Sequence, residues 1–349
     1  MYPRLQESPI FMVPQFLFVI FTFFTASFGV SQVIQCQSGI SNTIIVDELG
    51  MSGEFKTVQA AIDSIPPNNN KWIRIQINPG IYIEQVTIPQ DKPCIILEGQ
   101  DRSVTTITYD AHDRTDTSVT FSTNPDYVVV RGITFENSYN RPLKSNTDIT
   151  QAVAAQIGGD KNVFFECGFV GLQDTLWDFQ GRHYFYNCYI EGAVDFIFGN
   201  GQSYYQDCYL NVTAGLLPDQ LGYITAQDRE SPEEGSGFVF PRGIVDGSGQ
   251  VYLGRACGPY SRVIFDETNL TSVVYPTGWD AWYFIGQEEH LLYAEIDCVG
   301  AGSNTSDRVK WLTKLDGEQR DGLYGPIFLD DQDEWLEHLQ SLTINIAPN

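Results

Sequence analysis

The chain has 349 residues and a formal net charge of −24, from 44 acidic and 20 basic residues. This length suits one large domain or two small ones. The sequence contains no basic patch, which argues against a nucleic-acid-binding protein, and the acidity disfavours retention by an acidic matrix.

The first 31 residues are typical of a secretory signal peptide. Arg4 is the only basic residue of this stretch, residues 16–24 (FLFVIFTFF) are strongly apolar, and small residues follow. The apolar run is too short and too quickly ended for a membrane span. We therefore expect cleavage near 26–31 and a single mature domain over 32–349. An uncleaved N-terminal anchor is the alternative.

Two further features fit a secreted protein. The chain has seven cysteines, which permit disulfides in an oxidising compartment without making a cysteine-dense scaffold. It also carries three N-glycosylation sequons, and the acceptor residues are Asn211, Asn269 and Asn304. Each sequon alone is a weak signal, because such triplets are common by chance.

The predicted elements begin with a helix and continue as short strands. Residues 54–65 place apolar side chains at helical spacing and end at two prolines, which predicts a short helix that caps the open end of a stack of strands. No ten-residue helical pattern recurs between the β runs that follow, which argues against an alternating β/α fold. Residues 333–340 predict a short final helix. The β runs are 72–80, 81–88, 94–100, 105–110 and 127–137.

A repeat of about 20 residues runs through the middle of the chain. Cys167, Cys188 and Cys208 are 21 and 20 residues apart. Aromatic residues precede these cysteines by three positions and apolar residues follow by two. Such a period with strand-like alternation predicts an all-β solenoid whose coils stack at about 4.8 Å. The flanking positions are Phe164, Phe185 and Tyr205 before the cysteines, and Phe169, Ile190 and Leu210 after them.

The repeat extends backward and is interrupted by irregular stretches. Ile133 occupies the cysteine position of the preceding coil, which carries an insertion over 137–148. The insertion is polar and loop-like, and we expect it to form one wall of a cleft. Residues 228–237 are a second irregular stretch that can form another wall. Residues 272–282 and 299–306 also predict loops.

Two aspartates share one position of the repeat. Asp174 lies seven residues after Cys167, and Asp195 lies seven after Cys188. Stacked coils would bring the two carboxylates close together, and two like charges at that distance raise one pKa. A lone aspartate at a solenoid turn more often bonds only nearby backbone. Because placing two carboxylates so close together costs free energy, the pairing indicates a functional site.

The state of the stacked cysteines stays open at this level. Cys167 and Cys188 occupy equivalent positions of adjacent coils, so they can form a disulfide. They can equally form a row of buried small apolar groups, because a sequence alone does not determine connectivity.

Six segments together resemble the pectin methylesterases (pectinesterases) of plants and bacteria, in the order found in that family. This resemblance implies a right-handed parallel β-helix, in agreement with the repeat, and a form without an inhibitor-like pro-domain. The segments are GIYIE (80–84), QAVAA (151–155), GLQDTL (171–176), GAVDFIFG (192–199), ITAQDR (224–229) and LGRA (253–256).

The resemblance also implies a role for each catalytic candidate. Asp195 would attack the methyl-ester carbonyl as nucleophile, and Asp174 would protonate the departing methanol and then activate water. Gln151 and Gln173 would donate amide hydrogens to the oxyanion. Arg255 would keep Asp195 ionised through a bidentate contact.

The resemblance further implies sugar-contacting positions. Phe198 and Trp177 match aromatic positions that contact sugar in the family. Cys257 stands where the family usually has a tryptophan, so one stacking surface is lost unless Trp282 or Tyr260 replaces it.

The sequence therefore predicts a secreted, monomeric cell-wall esterase that acts on methyl-esterified homogalacturonan and releases pectate and methanol. We expect no cofactor, metal or membrane partner, since the four histidines have no metal-ligand spacing, and a proteinaceous pectinesterase inhibitor as a potential partner. The alternatives are a β-helical polygalacturonase or pectate lyase, and a wall-binding protein weakened by Cys257. The paired glutamines favour the ester carbonyl.

Overall fold

The computed structural model describes residues 36–51, 53–112, 114–141 and 149–344, with side chains described as far as residue 342. These residues form a parallel β-helix built from one sheet of ten strands and two sheets of eight. The predicted signal peptide, most of the predicted insertion and the last five residues lie outside the described residues. The solenoid predicted from the repeat is confirmed.

The strands belong to three sheets, and each full coil of chain visits sheet 1, sheet 2 and sheet 3 in that order. Sheet 1 contains β1 Gln37–Val46, β2 Lys71–Ile77, β5 Ile95–Gly99, β8 Val128–Arg131, β11 Asn162–Phe165, β14 Arg182–Tyr186, β17 Gln202–Gln206, β20 Gly237–Pro241, β23 Arg262–Asp266 and β26 Leu292–Ile296. Sheet 2 contains β3 Gly80–Ile83, β6 Thr105–Tyr109, β9 Thr134–Asn137, β12 Gly168–Val170, β15 Tyr189–Gly192, β18 Tyr209–Thr213, β21 Ile244–Ser248 and β24 Asn269–Leu270. Sheet 3 contains β4 Val86–Ile88, β7 Phe121–Thr123, β10 Ala155–Ile157, β13 Leu176–Asp178, β16 Ile197–Gly199, β19 Leu221–Gln227, β22 Gln250–Ala256 and β25 Trp279–Asp280.

Stacked aromatic rings fill the interior behind sheet 1. The Phe164 and Phe185 ring centroids lie 5.0 Å apart, and those of Phe185 and Tyr205 lie 4.5 Å apart. The ladder continues through Phe240, at 4.6 Å from Tyr205, to Phe265, at a further 4.7 Å. Because each ring comes from a successive coil, the ladder confirms the aromatic position of the repeat and sets its register.

The buried cysteines form a row of free thiols, so the proposed Cys167–Cys188 disulfide is wrong. Cys167, Cys188 and Cys208 are all free and buried. The Cys167 thiol lies 3.4 Å from the Phe165 carbonyl oxygen, and the Cys188 thiol lies 3.5 Å from that of Phe164. These thiols therefore donate to backbone carbonyls inside the β-helix. This arrangement is the buried row of small groups that the sequence left open as the alternative to a disulfide.

A different disulfide closes the N-terminal end of the fold. Cys36 is bonded to Cys94, with Cα atoms 5.7 Å apart and a sequence separation of 58. It ties the chain just before β1 to the start of β5. In the chain-entropy account, a loop of this size stabilises the fold by about 4 kcal/mol.

The predicted capping helix is confirmed as α1, Val58–Ser64, whose buried residues include Val58, Ala61 and Ile62. Thr57 caps it by accepting a hydrogen bond from the Ala60 backbone N–H at 3.2 Å. Its apolar face packs on the first coil, as a cap for an open solenoid end requires.

The C-terminal region adds small helices and irregular segments. The predicted final helix is confirmed as α4, Trp335–Ile344, and it follows α2, Gly317–Asp321, and α3, Gly325–Phe328. Single 3-10 turns occur at Ala214–Leu216, Trp282–Phe284 and Glu288–His290. None of the helices found in the described ranges combines the length and apolar character that a membrane crossing requires.

Candidate active site

Asp174 and Asp195 occupy the same turn of consecutive coils, each two residues before a strand of sheet 3. Gln173 pairs with Val194 in an isolated parallel bridge, and the Asp174 backbone N–H donates to the Val194 carbonyl at 3.0 Å. This register confirms that the two aspartates are neighbours in the stack. Both adopt left-handed backbone conformations, with φ of 59° at Asp174 and 47° at Asp195. Such strain in non-glycine residues is a common property of functional sites.

The pair is nearly excluded from water. Asp174 is 9% exposed and Asp195 is 8% exposed. Burial raises the pKa of Asp174 to about 7, the Asp195 carboxylate adds to the rise, and Arg255 opposes it. Burial also raises the pKa of Asp195, but hydrogen bonds from Arg255 counteract that rise. The arrangement therefore favours an ionised Asp195 beside a protonated Asp174.

Arg255 forms a bidentate ion pair with Asp195, as the resemblance implies. Its Nε donates to Asp195 Oδ1 at 2.8 Å, and its second guanidinium nitrogen donates to Oδ2. Arg255 lies on β22, and the intervening strand β19 places the small Ala226 at the register position between Phe198 and Arg255. A small residue there leaves room for the arginine to reach back across one strand.

The two glutamines belong to the coil of Asp174 and to the coil before it. Gln173 directly precedes it, and Gln151 belongs to the previous coil, where the Ala152 backbone N–H donates to the Gln173 carbonyl at 3.2 Å. The Gln151 amide oxygen accepts from the Thr150 hydroxyl at 3.2 Å. Among the described residues neither amide nitrogen has an acceptor, so both N–H groups remain available to a bound oxyanion.

Aromatic side chains continue the site along sheet 3. Trp177 and Phe198 occupy equivalent positions of β13 and β16. Their rings stack with centroids 5.6 Å apart and an interplanar angle of 13°, and Phe179 packs edge-on to Trp177 at 5.2 Å. Both predicted sugar-contacting residues are therefore neighbours and only half-buried.

Cys257 is exposed just beyond Arg255 and is a free thiol. Burial raises the pKa of its thiol to about 12, and the neighbouring Asp228, which belongs to the predicted irregular stretch at 228–237, adds to the rise. That stretch therefore borders the site, as expected for a wall. Tyr260 stacks on His290, with ring centroids 5.1 Å apart.

A buried polar cluster, which the sequence analysis missed, supports the strand that carries Trp177. Asp178 and His183 are fully buried and lie 2.5 Å apart between Oδ1 and Nδ1, and the Tyr205 hydroxyl donates to Asp178 Oδ2 at 2.6 Å. Burial lowers the pKa of His183, but Asp178, the Gly159 carbonyl and Asp160 together raise it more, so the net direction is upward. The i, i+5 spacing of these residues carries no recognisable motif.

The remaining candidates are scattered over the surface. Asn304 is exposed, Asn269 is half-buried in β24, and the Asn211 amide donates to Glu191 Oε2 at 2.9 Å. In the part of the chain that the structure describes, no group of three or more histidine, cysteine, aspartate or glutamate residues could hold a metal ion.

Comparison with known proteins shows the class to which this fold and site belong. The family model described as Pectinesterase matches residues 43–321. Probable pectinesterase 29 of Arabidopsis thaliana is 49% identical over 300 residues, covering 85% of this chain and 89% of its own. Probable pectinesterase 55 of the same plant is 50% identical over 302 residues, covering 85% and 90%.

Solved structures show the same similarity in three dimensions. The pectin methylesterase from carrot superposes with a TM-score of 0.78 at 29% identity, covering 88% of this chain and 98% of its own. The pectin methylesterase from Aspergillus niger gives 0.70 at 28% identity, covering 85% and 97%. The right-handed parallel β-helix is therefore confirmed. The chain belongs to the pectinesterase family of carboxylic ester hydrolases.

Proposed function

We propose that this pectinesterase hydrolyses the methyl ester of galacturonate units in homogalacturonan by covalent catalysis, with Asp195 as nucleophile. The observation that carries this proposal is the asymmetric carboxylate pair. Arg255 contacts Asp195 and not Asp174, so one member is held ionised while its neighbour keeps a proton. An ester cleavage through an acyl-enzyme needs one carboxylate in each of these states.

In the first half-reaction, a carboxylate oxygen of Asp195 attacks the ester carbonyl carbon. The carbonyl oxygen becomes an oxyanion, and the amide N–H groups of Gln151 and Gln173 stabilise it. Losing one such donor typically costs about 3 kcal/mol in the transition state. Asp174 transfers its proton to the methoxy oxygen, the carbon–oxygen bond breaks, and methanol leaves an acid anhydride between substrate and Asp195.

In the second half-reaction, Asp174 is ionised and acts as the base. It takes a proton from water while the water oxygen attacks the substrate carbonyl of the anhydride. The anhydride bond breaks, the galacturonate carboxyl is released, and Asp195 returns as a carboxylate. The net change is ester plus water to acid plus methanol, and Asp174 recovers its proton. Trp177 and Phe198 supply a half-buried aromatic surface for the sugar rings.

The alternative chemistries fit the site less well. A glycosidase needs carboxylates on opposite faces of a glycosidic bond, whereas Asp174 and Asp195 occupy adjacent coils of one sheet edge. A calcium-dependent lyase needs a cluster of oxygen ligands, and the guanidinium of Arg255 occupies the side of Asp195 that such a cation would need.

Methanol release from methyl-esterified pectin by the purified protein tests the proposal. The wild type should release methanol without shortening the polymer, while Asp195→Ala and Asp174→Ala should each lose nearly all turnover and remain folded. The double variant should lose little more than either single variant, because the pair acts as a unit. Chain cleavage, or near wild-type turnover in either single variant, would contradict the mechanism.

We further propose that the mature protein is residues 32–349, secreted to the cell wall as a monomer after removal of residues 1–31. The apolar run at 16–24, the sequons and the Cys36–Cys94 disulfide support this assignment, since disulfides persist in oxidising compartments. A proteinaceous inhibitor is a potential partner. Amino-terminal sequencing of protein recovered from the wall tests the cleavage, and an intact N-terminus would contradict it.

A further inference from the structure

Arg255 is held by more than its contact with Asp195. Its guanidinium carbon lies 4.2 Å from the centroid of the Tyr223 ring and 3.9 Å from that of the Trp282 ring. An arginine stacked on two aromatic rings gains a cation–π attraction from each. The role given to Arg255 by the family resemblance requires only its carboxylate partner, so these two rings are additional.

A single carboxylate bonds both of the residues that carry these rings. Asp280 accepts a hydrogen bond from the Tyr223 hydroxyl at Oδ2, at 3.2 Å, and from the Trp282 backbone N–H at Oδ1, at 2.8 Å. Asp280 is also the register partner of Arg255 on the neighbouring strand β25. It therefore lies beside the arginine and bonds both residues whose rings contact it.

The backbone at Trp282 is strained into this arrangement. Its φ is 48°, a left-handed conformation that costs a bulky residue free energy and persists only where its surroundings impose it. The hydrogen bond from its own N–H to Asp280 is what stabilises that turn. A strained aromatic residue packed on a catalytic arginine points to a positioning device.

We propose that Tyr223, Asp280 and Trp282 form a clamp that positions Arg255 against Asp195, with Tyr223 and Asp280 as positioning residues for ester hydrolysis. This inference rests on the proposed function for its kinetic consequence, but its structural consequence stands without it. Contact with both rings restricts the movement of the guanidinium, so both of its hydrogen bonds to Asp195 are preorganised. The substrate then meets a nucleophile that is already ionised and oriented.

Tyr223 can position Arg255 without adding a charge of its own. Burial raises the pKa of Tyr223 to about 12, and Asp280 adds to the rise, so the phenol is neutral wherever the carboxylates titrate. Among the described residues, the charged and titratable groups that act on Asp195 are Asp174, Arg255, the thiol of Cys257 and the buried Tyr293, and those that act on Arg255 include Asp280. A change of pH profile in a Tyr223 variant therefore reports on the arginine.

The primary test compares Tyr223→Leu, which removes the ring, with Tyr223→Phe, which keeps it. We expect kcat to fall about tenfold in Tyr223→Leu, equivalent to about 1.4 kcal/mol, with KM little changed. The acid limb of the kcat/KM profile should move to higher pH, because a loosened Arg255 lets the pKa of Asp195 rise. Tyr223→Phe keeps the ring but loses the hydrogen bond to Asp280, so its kcat and pH profile should lie between those of Tyr223→Leu and the wild type. Tyr252→Leu is the matched control, since the Tyr252 ring also stacks on Tyr223, with ring centroids 5.1 Å apart.

Asp280→Ala is the second variant, because it leaves both rings in place while removing their common tether. It should show the same loss of kcat and the same shift of the acid limb as Tyr223→Leu. A wild-type kcat and pH profile in both Tyr223→Leu and Asp280→Ala would overturn the clamp. Equal losses in Tyr252→Leu and Tyr223→Leu would also overturn it, since they would indicate only a weakened tyrosine stack.

A spectroscopic readout separates the clamp from the proposed function. In the intact protein, the NMR signal of the Arg255 Nε–H, assigned from an Arg255→Lys variant, should show a ring-current shift that Tyr223→Leu reduces. Failure of the wild type to release methanol, with this signal as expected, would refute the function and leave the clamp standing. An unshifted Arg255 signal in an active wild type would refute the clamp alone.

Discussion

Replacing Asp174 with asparagine should abolish turnover and yet stabilise the fold at neutral and alkaline pH. The physical reason is that folding buries this carboxyl beside a second one. Its pKa rises from the ordinary 3.8 to about 7, which corresponds to about 4 kcal/mol at about 1.36 kcal/mol per tenfold change in the ionisation constant. Asparagine has nearly the same shape and never needs to ionise.

The sign of the pH dependence follows from the direction of that shift. Below about pH 4, Asp174 is protonated in both the folded and the unfolded chain, and the variant should match the wild type. Between about pH 4 and about pH 7, only the unfolded chain loses the proton, so the free energy of unfolding of the wild type falls as the pH rises. Above about pH 7 the difference is complete, and the asparagine variant should be more stable by up to about 4 kcal/mol.

Urea unfolding of wild type and Asp174→Asn, followed by tryptophan fluorescence at about pH 4 and about pH 8, measures this difference. Asp321→Asn is the control, because Asp321 is an exposed aspartate at the end of α2, and its unfolding curves should stay close to those of the wild type. The reasoning would be refuted if the advantage of Asp174→Asn over the wild type were the same at both pH values, or if the variant were less stable at the higher one.

Three other predictions concern the cleft and the surface. Cys257→Trp should restore a stacking surface and lower KM about fivefold with little change in kcat, whereas Cys257→Ser should not; an unchanged KM in steady-state assays would show that the cleft is built around the smaller residue. At a net charge of −24, the protein should bind poorly to de-esterified pectate and better to methylated pectin. Added salt should reduce this difference in affinity, because at about 0.1 M it screens charge repulsion over distances longer than about 10 Å. Tight, salt-sensitive binding to pectate would contradict this prediction. Asn304→Gln should remove a glycan from the secreted protein, as judged by intact mass, because Asn304 is exposed while the Asn211 amide is bound to Glu191; an unchanged mass would contradict that choice.

The register of the solenoid could be predicted from the sequence because the repeat that sets it spans only about 20 residues. Cys167, Cys188 and Cys208 recur at nearly constant spacing, and a β-coil places residues one period apart on top of each other. The proximity of Asp174 and Asp195 then follows from the repeat alone. Their burial does not, because it depends on the coils above and below them.

Contacts between segments far apart in the chain could not be predicted from the repeat. The repeat made Cys167 and Cys188 the obvious disulfide pair, but their thiols point inward to backbone carbonyls, and the bonded pair is Cys36 and Cys94. Likewise, Asp280 lies in a stretch whose sequence predicts only a loop. Its contacts depend on a left-handed turn at Trp282, and a tryptophan carries no propensity for that conformation.

The active-site candidates come from successive coils, with Gln151, Asp174 and Asp195 each one turn further along the axis. Their separations are thus multiples of the strand spacing of about 4.8 Å and owe little to any one loop. A coil added beyond β26 would therefore leave the spacing of the active-site candidates unchanged. A coil inserted between β13 and β16 would instead part the two carboxylates. Gln151 lies one coil before Asp174, and Arg255 reaches Asp195 across β19, so a coil inserted anywhere between β10 and β22 would separate groups of the site.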